Sequence, residues 1–147
     1  MIYIASDHAA FELKEALKEF LKELNMEFED IGPKEFNKED DYPDFIIPCA
    51  EKVAQNNGKG IIMGGSGQGE AIAANKVKGI RAAVYYGNSE DIITLSKTHN
   101  NANILSLGAR FLSIEEAKKT VKLWIETEFT NEERHVRRLN KVSDYES

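Results

Sequence analysis

The sequence has a single cysteine, Cys49, so it forms no internal disulfide and nothing in it asks for an oxidising compartment. Its three histidines fall in no HExxH or Cys/His ligand spacing, and no metal is expected. It contains no run of about 18 apolar residues, so no segment reads as a membrane span. The N-terminal stretch MIYIASDHAAFELKE lacks the basic start and the long apolar core of a signal peptide, which sets the expected location as the cytoplasm. Positive charge is also short: 19 Lys and Arg stand against 25 Asp and Glu, a formal net charge of −6. That balance argues against nucleic acid and anionic membranes as general partners. An acidic chain that handles an anion must gather its cations locally.

What is present reads as one unit over residues 1–147. A chain of this length can bury roughly 68–70% of its unfolded surface, enough for a core without staples. Strand-like and helix-like patterns alternate. Strands are expected at Met1 to Ser6, Glu27 to Ile31, Gly60 to Gly64, Arg81 to Tyr86 and Ile104 to Leu107. Helices are expected at Phe11 to Leu24, Asp44 to Gln55, Glu70 to Lys76, Ser89 to Thr98, Ser113 to Glu126 and Asn131 to Ser143. Pro48 predicts a late or bent start for the second helix, and Gly58 a left-handed cap at its end. Ser89 is read as the cap of the fourth. Five strands separated by helices predict an α/β fold: a Rossmann-like three-layer α/β/α sandwich with a five-stranded parallel sheet and a C-terminal helix. In such sheets the ligand crevice lies beyond the carboxyl ends of the strands. Asp7-His8, the glycine loop from Gly64 and Gly87-Asn88 all fall there.

The loop Gly64-Gly65-Ser66-Gly67-Gln68-Gly69 fits neither common phosphate motif. Gly64 and Gly69 have the spacing of a P-loop, but Glu70-Ala71 replaces Lys-Ser/Thr. The dinucleotide spacing fails because its third glycine would fall on Glu70. A carboxylate in the first helical turn would repel a bound phosphate. Two readings remain. The loop N–H groups can form an oxyanion hole beside Glu70 as a base, or the glycines make a tight turn and Glu70 answers the helix dipole. The loop by itself does not choose between them.

The loop has company. Asp7 to Lys14 (DHAAFELK), Asp41-Tyr42-Pro43, Gly64 to Lys76 (GGSGQGEAIAANK), Gly79 to Ala82 (GIRA), His99 to Asn103 (HNNAN), Gly108-Ala109-Arg110 and Arg134 to Arg138 (RHVRR) occur in that order. Together they closely resemble the type B ribose-5-phosphate isomerases and their galactose- and allose-6-phosphate relatives, from the first strand to the last helix.

The resemblance implies an aldose–ketose isomerase that interconverts ribose 5-phosphate and ribulose 5-phosphate through an enediolate, with no cofactor. It implies that Asp7 and His8 contact the sugar and its phosphate. Gly65, Ser66, Gly67, Gln68 and Gly69 would surround the C1–C2 end, with the Ser66 hydroxyl assisting. His99, with Asp7, would open the furanose ring, and Asn100 would bond the enediolate. Arg110, Arg134 and Arg138 would hold the phosphate. Many family members carry a cysteine base just before the glycine loop, where this chain has Gly64. A second branch uses a glutamate at the start of the following helix, and Glu70 matches it.

Each residue also has a plainer reading. Asp7 can cap the first helix, His8 can be a surface residue, and His99 can answer the dipole at a helix C-terminus. His135 reads as structural. Arg134 and Arg138 share a helix face four residues apart, with Arg137 and Lys141 near it. Most such runs are solvated faces, yet this one supplies the local cations an acidic protein needs, and guanidinium forks suit phosphate. Its distance in sequence from the glycine loop predicts a homodimer or dimer of dimers with shared sites. The alternatives are a hexose 6-phosphate isomerase and a non-catalytic sugar-phosphate-binding module.

Overall fold

The computed structural model of the chain describes residues 1–146. Its elements are β1 (Ile2–Ser6), α1 (Phe11–Glu23), β2 (Phe28–Gly32), α2 (Pro43–Asn56), β3 (Lys59–Gly64), α3 (Gln68–Ala74), β4 (Ala82–Tyr85), α4 (Asp91–Thr98), β5 (Ile104–Gly108), α5 (Ile114–Glu126) and α6 (Glu133–Glu146). A 3₁₀ turn, His8–Ala10, joins β1 to α1. The strands form one parallel sheet in the order β2-β1-β3-β5-β4.

Strand order and crossover handedness fix the layers. Right-handed connections put the helix on one face when the chain steps one way across the sheet and on the other when it reverses. The chain steps from β1 to β2, reverses to β3 and out to β4, then reverses again to β5. The first and last moves place α1 and α4 on one face, where α5 joins them. The middle moves place α2 and α3 on the other. Two apolar cores match this. One unites Leu13, Leu17 and Leu21 of α1 with Ile93, Val121 and Trp124; the other unites Ile46, Ala50 and Val53 of α2 with Ala74 and Ile104. The first reversal lies between β1 and β3, and their carboxyl ends open the crevice there.

Local chemistry moves some expected boundaries. The second helix starts at Pro43, where a missing N–H costs nothing. It continues through Pro48. The residue with positive φ at its end is Asn57 (φ 49°), not Gly58. Glu90 stands immediately before α4 with helical φ and ψ and no side-chain cap bond, and Ser89 one residue earlier supplies it, its Oγ accepting the Asp91 N–H at 3.3 Å. The third helix begins at Gln68, so Glu70 is its third residue. A fully buried lysine, Lys14, meets both oxygens of Asp30 at 2.8 Å and donates to the Pro33 carbonyl at 2.7 Å. This pair ties α1 to the turn after β2. Among the described residues, no helix is long and apolar enough to cross a membrane.

Candidate active site

The crevice is built from the turns that follow β1, β3 and β5. Asp7, the first residue after β1, is buried, and its Oδ1 accepts the Ala10 N–H at 3.3 Å. The plain capping role is therefore real, on the 3₁₀ turn. Burial pushes its carboxyl above the usual range, against the pull of the Ala10 and Ala9 N–H groups and of His8. His8 sits beside it, with Nδ1 2.7 Å from Asp40 Oδ1.

The glycine loop after β3 lies on the turn after β5. Its carbonyls are spent there: Gly64 accepts from Ala109 N–H at 2.8 Å, Gly65 from Arg110 N–H at 3.0 Å, and Gly67 from Ser106 Oγ at 2.6 Å. Several close approaches need glycine. Gly67 has φ 80°, and a Cβ there would lie 2.9 Å from the Leu107 carbonyl carbon. A Cβ on Gly65 would meet the Arg110 guanidinium at 3.1 Å, so that side chain lies across the loop. A Cβ on Gly69 would meet the Tyr42 ring at 2.8 Å. Ser66 Oγ accepts the Gln68 N–H at 3.3 Å, which leaves its proton free to donate.

Glu70 is the centre of this group. It is buried, with 4% of its surface exposed, and its carboxylate lies directly over Gly64. A Cβ at Gly64 would overlap the carboxylate itself. Burial raises the Glu70 pKa; the Asp7 charge raises it further, while the N–H groups of Glu70 and Gly67 pull it down. Burial therefore prevails over the dipole of α3. Two buried carboxylates that repel each other, Asp7 and Glu70, share the floor of the crevice. Carboxyl groups whose proton affinity is raised by burial suit proton transfer.

The remaining residues of the sequence reading lie elsewhere. Helix α4 runs antiparallel to the strands, so its end, His99 and Asn100, comes back to where β5 begins. Arg81 Nε, at the start of β4, donates to the Asn101 carbonyl at 2.8 Å, which fixes that end. Five residues of β5 separate it from the crevice, about 16 Å of strand. Thr130 N–H and Oγ1 both donate to the Thr98 carbonyl, at 3.3 and 3.0 Å, and bring α6 alongside. The His99 and His135 rings stack at 4.2 Å. His135 is buried, and among the described residues its Nε2 makes no hydrogen bond, though Glu132 Oε2 lies 3.4 Å away. Arg138 shares a groove of about 300 Å³ with Asn100, Arg81 and Val142. Arg134 and Arg138 are exposed, whereas Arg137 is engaged by Glu133 at 2.8 Å.

One protomer thus brings together Asp7, His8, Gly65 to Gly69, Glu70 and Arg110. It holds His99, Asn100, Arg134 and Arg138 in a second group at the opposite end of the sheet. Sequence reasoning gave no role to Asp40 or Tyr42. Tyr42 carried a signal in Asp41-Tyr42-Pro43, while Asp40 carried none.

Comparison with known proteins places the chain in a family. The model of the Ribose/Galactose Isomerase family matches residues 2–142. A probable ribose-5-phosphate isomerase B of Mycoplasma genitalium is 42% identical over 147 residues, covering 99% of this chain and 95% of that protein. The ribose-5-phosphate isomerase B of Mycobacterium tuberculosis is 38% identical over 146 residues, covering 99% of this chain and 89% of that protein. Among solved structures, the M. genitalium isomerase with bound ribulose-5-phosphate superposes with a TM-score of 0.93 at 41% identity, over 99% of this chain and 95% of that one. With sequence and fold in accord over nearly the whole chain, this protein belongs to the ribose/galactose isomerase family.

Proposed function

We propose that this chain interconverts ribose 5-phosphate and ribulose 5-phosphate, with Glu70 as the base. The observation that carries the assignment is the Glu70 carboxylate, buried over Gly64 and pressed by Asp7. In the open-chain aldose Glu70 takes the C2 proton, the electrons move to the C1 oxygen, and an enediolate results. The same carboxyl returns the proton to C1, while the O2 hydroxyl proton passes to the C1 oxygen as the C2 carbonyl forms. Electrons only rearrange within the substrate. Ser66 and the loop N–H groups stabilise the oxygens where charge develops. His8 and Arg110 meet the phosphate, whose remote binding energy positions C1 and C2 against Glu70.

A second copy of the chain completes the site. The support is spatial: His99 and Asn100, read as ring opener and enediolate partner, and Arg134 and Arg138, read as phosphate ligands, lie a strand's length from Glu70. Helix α6 buries only His135 and leaves Val142 56% and Tyr145 93% exposed, with Ile72 of α3 64% exposed. In a homodimer the second group of one subunit faces the crevice of the other.

Two assays test these points. A panel of pentose and hexose phosphates should show aldose–ketose conversion with ribose 5-phosphate, accompanied by solvent exchange of the transferred proton; conversion of hexose phosphates alone would move the assignment to them. Mixing Glu70→Gln with an Arg134→Ala/Arg138→Ala variant should restore activity. Random pairing makes half the dimers mixed, each with one intact site of two, so about a quarter of normal activity returns. A fully active monomer would end the shared-site reading.

A further inference from the structure

The segment between β2 and α2 has no regular structure, yet it closes on His8 from two directions. Asp40 Oδ1 accepts the His8 backbone N–H at 3.1 Å and lies 2.7 Å from the ring Nδ1. Phe36 meets the same ring edge-on, with 6.4 Å between centroids. The Asp40 side chain is 6% exposed, and its Oδ2 is buried without a hydrogen-bond partner among the described residues. A buried carboxylate is costly unless a cation lies against it. The His8 ring is that group, and it is itself one-third exposed. An ionised carboxylate accepts only, so Nδ1 must carry the hydrogen and Nε2 is left for another partner.

We propose that Asp40 is a positioning residue for His8: it fixes the Nδ1–H form and sustains the imidazolium whose Nε2–H meets the substrate phosphate. This rests on the reading of His8 as a phosphate ligand. The groups facing His8 are Asp40 from the β2–α2 segment, Asp7 from the turn after β1 and Arg110 from the turn after β5. The Asp40 hydrogen bond raises the His8 pKa above its ordinary 6.5, helped by the charges of Asp40 and Asp7, while partial burial and Arg110 oppose it. The imidazolium therefore persists below that raised value and is lost as pH climbs through it. Phosphate affinity follows the same direction.

The test combines ¹⁵N spectra of the His8 ring with inhibition of the isomerase by inorganic phosphate, both against pH, in the unaltered protein and in Asp40→Asn. Above its titration the unaltered ring should be the Nδ1–H tautomer, a readout that needs no variant; an Nε2–H tautomer overturns the proposal. In Asp40→Asn the His8 midpoint should fall. Phosphate should bind roughly 3- to 10-fold more weakly near neutral pH, with kcat changed less than KM. An unmoved midpoint overturns the link between Asp40 and His8. A moved midpoint with an unmoved phosphate profile overturns the link to substrate. His8→Gln with phosphate affinity intact removes the phosphate role of His8 on its own, and the tautomer and midpoint readings keep that failure distinct from one at Asp40.

Discussion

The two ends of the sheet are built differently. At the carboxyl ends of β1, β3 and β5 the acidic side chains are packed and buried within one protomer. Asp7 and Glu70 are buried, Gly64 to Gly67 are spent on β5 and its turn, and both carboxyl groups are raised by burial. At the other end Arg134, Arg138 and Asn100 stand in solvent, and α6 buries one side chain of its own. Proton transfer needs a group whose affinity for protons is tuned by a fixed, water-poor surrounding. Phosphate capture needs charge that a hydrated anion can reach. The buried end holds carboxyl groups tuned by burial and the exposed end holds guanidinium groups open to water, so solvent exposure separates the two.

The largest effect expected concerns the buried end. Glu70→Gln keeps the size and removes the base, and turnover should fall by about 10²–10⁴ while phosphate inhibition changes little. Gly64→Ala sharpens the point without touching the base. Its Cβ overlaps the end of a flexible side chain, so the fold should survive while Glu70 is pushed from its place. Turnover should then collapse with little change in unfolding temperature. The same overlap gives a physical reason why a side chain at position 64 and a glutamate at 70 exclude each other. Near-normal turnover in Glu70→Gln would erase the distinction between the two ends.

Much of the buried end was legible in the sequence. Alternating patterns placed all five strands, and the crevice followed from where strands end. The direction of the Glu70 shift was not legible, because the helix dipole and burial oppose each other and their balance depends on how tightly the loop closes. Lys14 was also invisible: it lies on the edge of the apolar stripe of α1, and only its pairing with Asp30 explains a fully buried ammonium. Asp40 escaped because its partner, His8, is 32 residues away. The second group was legible as residues but not as a place. Arg134 and Arg138 were found by their helical spacing, whereas their separation from Glu70 comes from α4 running back down the sheet.

A smaller effect is expected at the exposed end. Arg138→Ala removes one charge-assisted hydrogen bond to phosphate, worth roughly 1.5–3 kcal/mol. Inhibition by inorganic phosphate should weaken accordingly, and kcat at saturating substrate should fall far less. Unchanged phosphate inhibition would return Arg138 to a solvated face.

The smallest effect, expected to be none, is at Cys49, and it bears on whether the buried end works through a carboxylate at all. The one thiol lies on α2, fully buried among Ile46, Ala50, Val53 and Ile62. Burial pushes it up to about 12, with the charges of Asp30 and Glu29 adding to the rise. At pH 8 the thiolate is then roughly one part in 10⁴, and only the thiolate alkylates. Iodoacetamide should leave the folded enzyme fully active and unmodified by mass, and should add one carbamidomethyl group once the chain is unfolded in denaturant. Cys49→Ala should likewise keep turnover near normal, at the cost of some stability from the vacated core volume. Inactivation of the folded enzyme in step with alkylation would mean that a thiol reaches the substrate. Glu70 would then lose its place as the base.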